Sequence, residues 1–302
     1  PYGEVFQAPL NITTSEVTAY WQVGDDGWRL WSDALSVSTP HLTADGQFRL
    51  DFSAEAPAWL SFYGEATAHD AGETWRYLPT LALGRELTDY LSTAIRGGKA
   101  EQAQLLWYGE LNDFPYSKGE GVFQAKVALR KGRFSFDTAW PELTDLKLDL
   151  LFENDFMYLD ASHAKTMGAT ASKVTGEAEL SEDGHLKLAI GVDADGQQVR
   201  DYMLATPLVD SVGAALTTVQ VSGPVSSQFK LDIPFDGSDV RAWGSASLKD
   251  NQVAMDAPPL QLDKVSGSLS FDNDVIKAEG IQGMLLAQPV VFGFDGKSVD
   301  TG

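Results

Sequence analysis

The sequence predicts a mainly β protein, an antiparallel array assembled from repeated units, and three observations carry that expectation. Residues 127–156 lie on residues 246–275 without a gap at an offset of 119: Leu129 falls on Leu248, Phe134 on Val253, Phe136 on Met255, Asp137 on Asp256, Leu146 on Val265, Leu150 on Leu269 and Phe152 on Phe271, with Asn154-Asp155 on Asn273-Asp274. A gapless duplication of this kind is the signature of a stacked array. Apolar residues alternate with polar ones over long stretches, which puts each apolar set on one face of a half-buried strand. Asp-Gly pairs at Asp26-Gly27, Asp45-Gly46, Asp183-Gly184, Asp195-Gly196, Asp236-Gly237 and Asp295-Gly296 supply the tight reversals that antiparallel strands need.

Taken in order, residues 1–76 read as strands, with Phe48, Leu50 and Phe52 alternating with Arg49 and Asp51, and form the end of a preceding unit. A first helical segment follows over about 78–108. Leu83, Leu87, Tyr90, Leu91, Ala94 and Ile95 recur at helical spacing, Gly97-Gly98 interrupts them, and Lys99 to Tyr108 resumes the helix. Strands take over again: Leu146, Leu148, Leu150 and Phe152, then Leu186, Leu188, Ile190 and Val192. A second helical segment, about 197–218, carries Val199, Met203 and Leu204 before Pro207, then Leu208, Val212, Ala215 and Leu216. Phe229, Leu231 and Ile233 open the last run of strands, which ends in the second copy of the duplicated block, with Leu269 and Phe271. Asp89-Tyr90-Leu91 matches Asp201-Tyr202-Met203, and Phe123 corresponds to Phe229, so the units are expected at 77–195 and 196–302. Pro234 and Pro289 suggest edges or bends. The chain starts at Pro1 without an initiator Met and reads as a piece of something longer.

Composition excludes several functions. A formal charge of −21, from 43 acidic against 22 basic residues, repels polyanions, so nucleic acid is not an expected partner and neither is a polybasic grip on anionic lipid. At 302 residues and 43% hydrophobic content the chain can bury a core. It has no cysteine, hence no disulfide, thiolate site or cysteine nucleophile. No apolar run approaches the ~20 residues that span a bilayer.

Reactive chemistry is sparse. His41, His69, His163 and His185 form no helical pair and read as solvated loop histidines, so neither metal nor cofactor is expected. Asp193-Ala194-Asp195-Gly196 begins like a calcium loop but lacks the distal Glu, which leaves an Asx turn. Paired carboxylates with Trp21, Trp28, Trp31, Trp59 and Trp75 as stacking platforms would suit a carbohydrate-binding or glycan-processing protein, the alternative reading. The alternating apolar face itself has two uses: a sandwich core covered by a second layer, or an open trough for acyl chains.

An ordered series of motifs bears on that choice. Leu105-Leu106-Trp107-Tyr108-Gly109-Glu110-Leu111, Phe114-Pro115-Tyr116, Gly121-Val122-Phe123-Gln124, Trp140-Pro141 and Leu143-Thr144-Asp145-Leu146 stand in the first unit. Asp201-Tyr202-Met203, Thr206-Pro207-Leu208, Ile233-Pro234-Phe235, Pro258-Pro259-Leu260 and Phe271-Asp272-Asn273-Asp274 stand in the second. From about Leu78 onward the series resembles the AsmA-like family. The resemblance implies a strongly curved, U-shaped β-groove of repeated units in a periplasmic protein anchored in the inner membrane, conducting phospholipids toward the outer membrane without catalysis. It implies acyl chains as ligands, membrane contact through regions outside this fragment, and no catalytic residue. The expected lining is then Leu146, Leu148, Leu150, Phe152, Leu186, Leu188, Ile190, Phe229, Leu231, Ile233, Leu269 and Phe271.

Overall fold

The computed structural model describes residues 6, 8–78, 80, 85–181, 183–210, 213–256 and 259–297. The protein is mainly β, as expected, and its described residues hold seventeen antiparallel strands not closed into a barrel. Its residues divide into two compact units, Pro1–Ser135 with Asp145–Leu159, and Phe136–Thr144 with Asp160–Gly302. The first unit holds β1 (Thr14–Val17), β2 (Tyr20–Gly24), β3 (Gly27–Ser38), β4 (Leu42–Ser53), β5 (Trp59–Ala68), helix α1 (Arg85–Ala94), β6 (Ile95–Glu110), β7 (Val122–Phe134) and most of β8 (Leu143–Glu153). The second holds most of β9 (Phe156–Thr166), then β10 (Ala169–Glu179), β11 (His185–Asp195), helix α2 (Gly196–Leu204), β12 (Val219–Ser222), β13 (Pro224–Pro234), β14 (Arg241–Asp256), β15 (Pro259–Asp272), β16 (Val275–Leu285) and β17 (Gln288–Lys297). Pairing is mostly between strands adjacent in sequence: β3 to β4 to β5 to β6 to β7 in the first unit, where β1 also pairs with β3, and β10 to β11 to β13 to β14 to β15 to β16 to β17 in the second, where β12 pairs with β14.

The duplication is written in the backbone over a longer stretch than in the residues. Four pairs of non-glycine residues with left-handed φ recur at the 119 offset: Lys131 (50°) with Asp250 (55°), Asp145 (51°) with Lys264 (50°), Asn154 (54°) with Asn273 (51°), and Met167 (47°) with Leu286 (49°). Asp250 and Lys264 fall at register shifts of the β14/β15 ladder, where inserted residues bend the strands. Asn154 and Asn273 close the hairpins after Phe152 and Phe271. Asn154 Oδ1 accepts from the Phe123 N–H at 2.8 Å and Asn273 Oδ1 from the Ala242 N–H at 2.8 Å, while each Asn N–H returns to the carbonyl of the same residue at 2.8 and 2.7 Å. Asn suits this place because its amide tolerates left-handed φ and caps the neighbouring strand in one stroke.

The helical segments also recur, at an offset of 125. Asp70 caps a 3-10 turn (Ala71–Tyr77) by accepting from Gly72 N, and Asp195 caps α2 by accepting from Gln197 N at 2.9 Å. Asp195 therefore serves as a helix cap, and its second oxygen accepts from Gly223 N at 3.1 Å. Gly98 (φ 118°) and Gly223 (φ 98°) recur behind them, pressed against Gly132 and Asn251. Both helical segments bridge strands that pair with each other, β5 with β6 and β11 with β13.

Four sequence expectations need correction. Residues 95–108 are strand: the left-handed Gly98 ends any helix, and β6 is hydrogen-bonded to strands on both sides. Asp45-Gly46 and Asp295-Gly296 lie inside β4 and β17, Gly46 opposite Gly64, where a Cβ would meet the Tyr63 carbonyl oxygen at 2.7 Å, and Gly296 opposite Ile276. The counterpart of Phe123 is Ala242, which shares its clamp, while Phe229 belongs to the preceding strand. The Asp-Tyr-Leu and Asp-Tyr-Met segments sit in different helices of the motif, because the Asp195-capped helix α2 corresponds to the Asp70-capped turn and not to α1. Leu83 and Val212 lie outside the described residues.

Two predictions follow from the turns. Asn154→Ala or Asn273→Ala should each cost about 2 kcal/mol in urea unfolding, from an unsatisfied strand N–H and a left-handed alanine, and glycine at either position should recover part of the loss. Leu286 and Ala287 occupy the β16/β17 turn with φ of 49° and 62°. The double substitution Leu286→Asn, Ala287→Gly should raise stability by about 1 kcal/mol, because both positions demand positive φ.

Candidate functional site

Register shows which side chains share a face. In the second unit, β11 and β13 set Leu186 opposite Ile233, Leu188 opposite Leu231 and Ile190 opposite Phe229. The row continues from Phe229 to Gly244 and on to Phe271 and Ile276, and the neighbouring row from Ala246 to Leu269 and Ala278. All eight expected lining residues of this unit therefore point to one side, with Lys187, Lys230, Ser268, Ser270 and Asp272 exposed on the other. Gly244 leaves its place empty, and the Phe229 and Phe271 rings meet across it with centroids 6.4 Å apart. In the first unit, Leu146, Leu148, Leu150 and Phe152 alternate with the exposed Lys147, Asp149 and Glu153.

Within this set burial divides the residues. Leu146, Leu148, Leu186, Leu231, Ile233 and Phe271 are packed by the protein's own atoms, while Leu150, Phe152, Leu188, Ile190, Phe229 and Leu269 stay half-buried. Further apolar residues join the second face around Leu262, Val265, Ala278 and Ile281. The sequence reading missed the corresponding face of the first unit, where Phe48, Phe62, Trp107 and Phe123 are register partners in one row and Leu105 with Ala125 in the next. Its signal was masked in β6, because the outward Leu106 and Tyr108 are apolar too and erase the alternation.

Trp107 and Phe123 belong to an aromatic cluster with Tyr116, against which Leu60, Phe62, Leu105, Phe114 and Phe152 pack. Trp107 Nε1 donates to Tyr116 Oη at 2.6 Å, and the Tyr116 hydroxyl donates to the Glu110 carbonyl at 2.8 Å. Burial pushes the Tyr116 phenol above its ordinary value, and the Trp107 N–H pulls it part of the way back. The Tyr116 ring fills the space that a Cβ on Gly109 or Gly121 would need, 2.7 Å away.

Nothing comparable concentrates reactive groups. His185 Nδ1 meets Asp232 at 2.5 Å and His41 Nδ1 meets the Tyr77 hydroxyl at 2.8 Å, and among the described residues no three metal-capable side chains converge. Three of the five tryptophans named for sugar stacking are paired with the protein's own rings: Trp28 on Phe52 at 4.1 Å, Trp31 on Tyr20 at 5.6 Å and Trp59 edge-on to Tyr108 at 5.1 Å. The carbohydrate alternative is accordingly not favoured. Among the described residues no helix is long and apolar enough to cross a membrane.

A mainly antiparallel sheet protein with apolar rows kept in register, repeated with its turns and helix caps, is a repeat-built β protein in class. The chain belongs to the YhdP protein family, whose model matches residues 1–302, which bears out the resemblance read from its motifs. It is 34% identical over 299 residues to the intermembrane phospholipid transporter YhdP of Escherichia coli (strain K12). That alignment takes in 98% of this chain and 24% of the relative, so the chain spans about a quarter of the protein it matches. No solved structure matches it.

The aromatic cluster yields a stability test. Tyr116→Phe should cost about 2 kcal/mol in urea unfolding by orphaning the buried Trp107 N–H, and adding Trp107→Phe should recover part of that loss rather than deepen it.

Proposed function

We propose that this chain is a non-enzymatic, periplasmic stretch of a phospholipid conduit between inner and outer membrane, in which the sheet curves into a groove and its apolar face carries acyl chains. The observation that carries the reading is the register-continuous apolar face, half of whose expected lining residues keep part of their surface open. Membership of the YhdP family and likeness to an intermembrane phospholipid transporter supply the ligand class. The repeat units are taken as 77–195 and 196–302, preceded by the end of another at 1–76, and the recurrence of Asp70 and Asp195 as caps favours moving the first boundary to about residue 71.

The mechanism is passive. Leaving water is worth about 0.8 kcal/mol per methylene, so a chain of about 16 carbons gains on the order of 12 kcal/mol from any apolar row deep enough to cover it. Successive rows of similar make-up offer similar wells, so a lipid shifts between neighbours without meeting one tight pocket. Headgroups stay at the strand ends, where water reaches them. The net charge of −21 disfavours anionic headgroups elsewhere on the surface of the chain.

The test is lipid photo-crosslinking from a probe at Phe229 in cells. Leu188→Asp or Leu269→Asp, charges on half-buried rows, should abolish lipid adducts while the thermal midpoint falls less than for Leu231→Asp on a buried row. Ser270→Asp, on the exposed face, should change neither. Undiminished adducts in both Leu188→Asp and Leu269→Asp would sink the reading.

A further inference from the structure

The two copies share a backbone plan but differ at one end of their apolar faces. In the first, β6 and β7 are joined by the Leu111–Gly121 segment, which returns over the face. Phe114 stacks on Trp107 with centroids 4.8 Å apart and meets Phe123 edge-on at 5.2 Å, and Tyr116 is 1% exposed. Two glycines make room for the Tyr116 ring, and Asn154 Nδ2 donates to the Tyr116 carbonyl at 3.4 Å, tying the segment to the hairpin clamp that recurs at Asn273. In the second copy the connection is shortened to residues 235–240, Leu231 opposite Ala242 takes the place of Trp107 opposite Phe123, and Phe235 is exposed.

We propose that the Leu111–Gly121 segment is a fixed cover that occupies the turn end of the first apolar face in place of lipid, so that Trp107, Phe114 and Tyr116 decide which rows of this unit a lipid can use. This rests on the lipid-conducting reading above. The chemistry of the cover suits exclusion. Its two polar ring atoms are spent on each other and on the Glu110 carbonyl, so neither is offered to a phosphate. The exposed charges along the segment are Asp113, Lys118 and Glu120, a net negative set that does not attract an anionic headgroup. A lipid in the first unit is thereby kept to rows nearer the helical end.

Leu60 packs against the covered cluster of the first unit, while Leu188 is a half-buried lining residue of the second. A photo-crosslinking residue placed at Leu60 should label phospholipid several-fold more weakly than one at Leu188. Exchanging Leu111–Gly121 for the segment 235–240, or making the milder Phe114→Ala change, should raise labelling at Leu60 toward the Leu188 level. Equal labelling at the two positions with the cover in place overturns the proposal, and so does a Phe114→Ala chain that keeps its circular dichroism yet labels no better. Loss of labelling at both positions in the unaltered protein overturns the lipid reading itself.

Discussion

The constraint on which this molecule depends is strand register. Side chains alternate across a strand, so a slip of one residue between β13 and β14 would turn Phe229, Leu231 and every apolar residue beside them out to water. The sequence holds the register at the ends of the strands. Asn154 and Asn273 each bond both ways to the start of the preceding strand, which fixes where that hairpin begins. Bends are then introduced without losing the face, by left-handed residues such as Asp250 and Lys264 that take up an extra position in the ladder.

Much of this was legible from residue order because a period of two is a local property. The alternation through Leu186, Leu188 and Ile190, or Phe229, Leu231 and Ile233, needs no partner strand to be seen, and the duplicated block announced the second copy. What could not be read was set by neighbours distant in sequence. Leu105 to Tyr108 is apolar on both faces and passes for helix until β5 and β7 are known to flank it. Gly46 and Gly296 look like turn residues until the residues opposite them are identified. The cover over Trp107 left only scattered marks, Gly109, Tyr116 and Gly121, whose meaning depends on one ring lying between two glycines.

The two copies also separate what duplication preserved from what it released. Helix caps, left-handed turns and the paired glycines Gly98 and Gly223 recur, although many side chains around them have changed. The connection between β6 and β7 and its counterpart diverged in length and content. Backbone geometry was retained where it sets the frame, and side-chain bulk varied where a strand end meets the apolar face.

The mostly local pairing of the strands also shapes how the chain reaches its fold. Most ladders join elements adjacent in sequence, so the loops closed early are short and their entropy cost is small. Pairing that starts at any one hairpin can spread strand by strand in either direction, and an outermost strand, held from one side only, can detach without unravelling the rest. The longer closures are those across the helical segments, between β5 and β6 and between β11 and β13, and they carry the larger entropy cost.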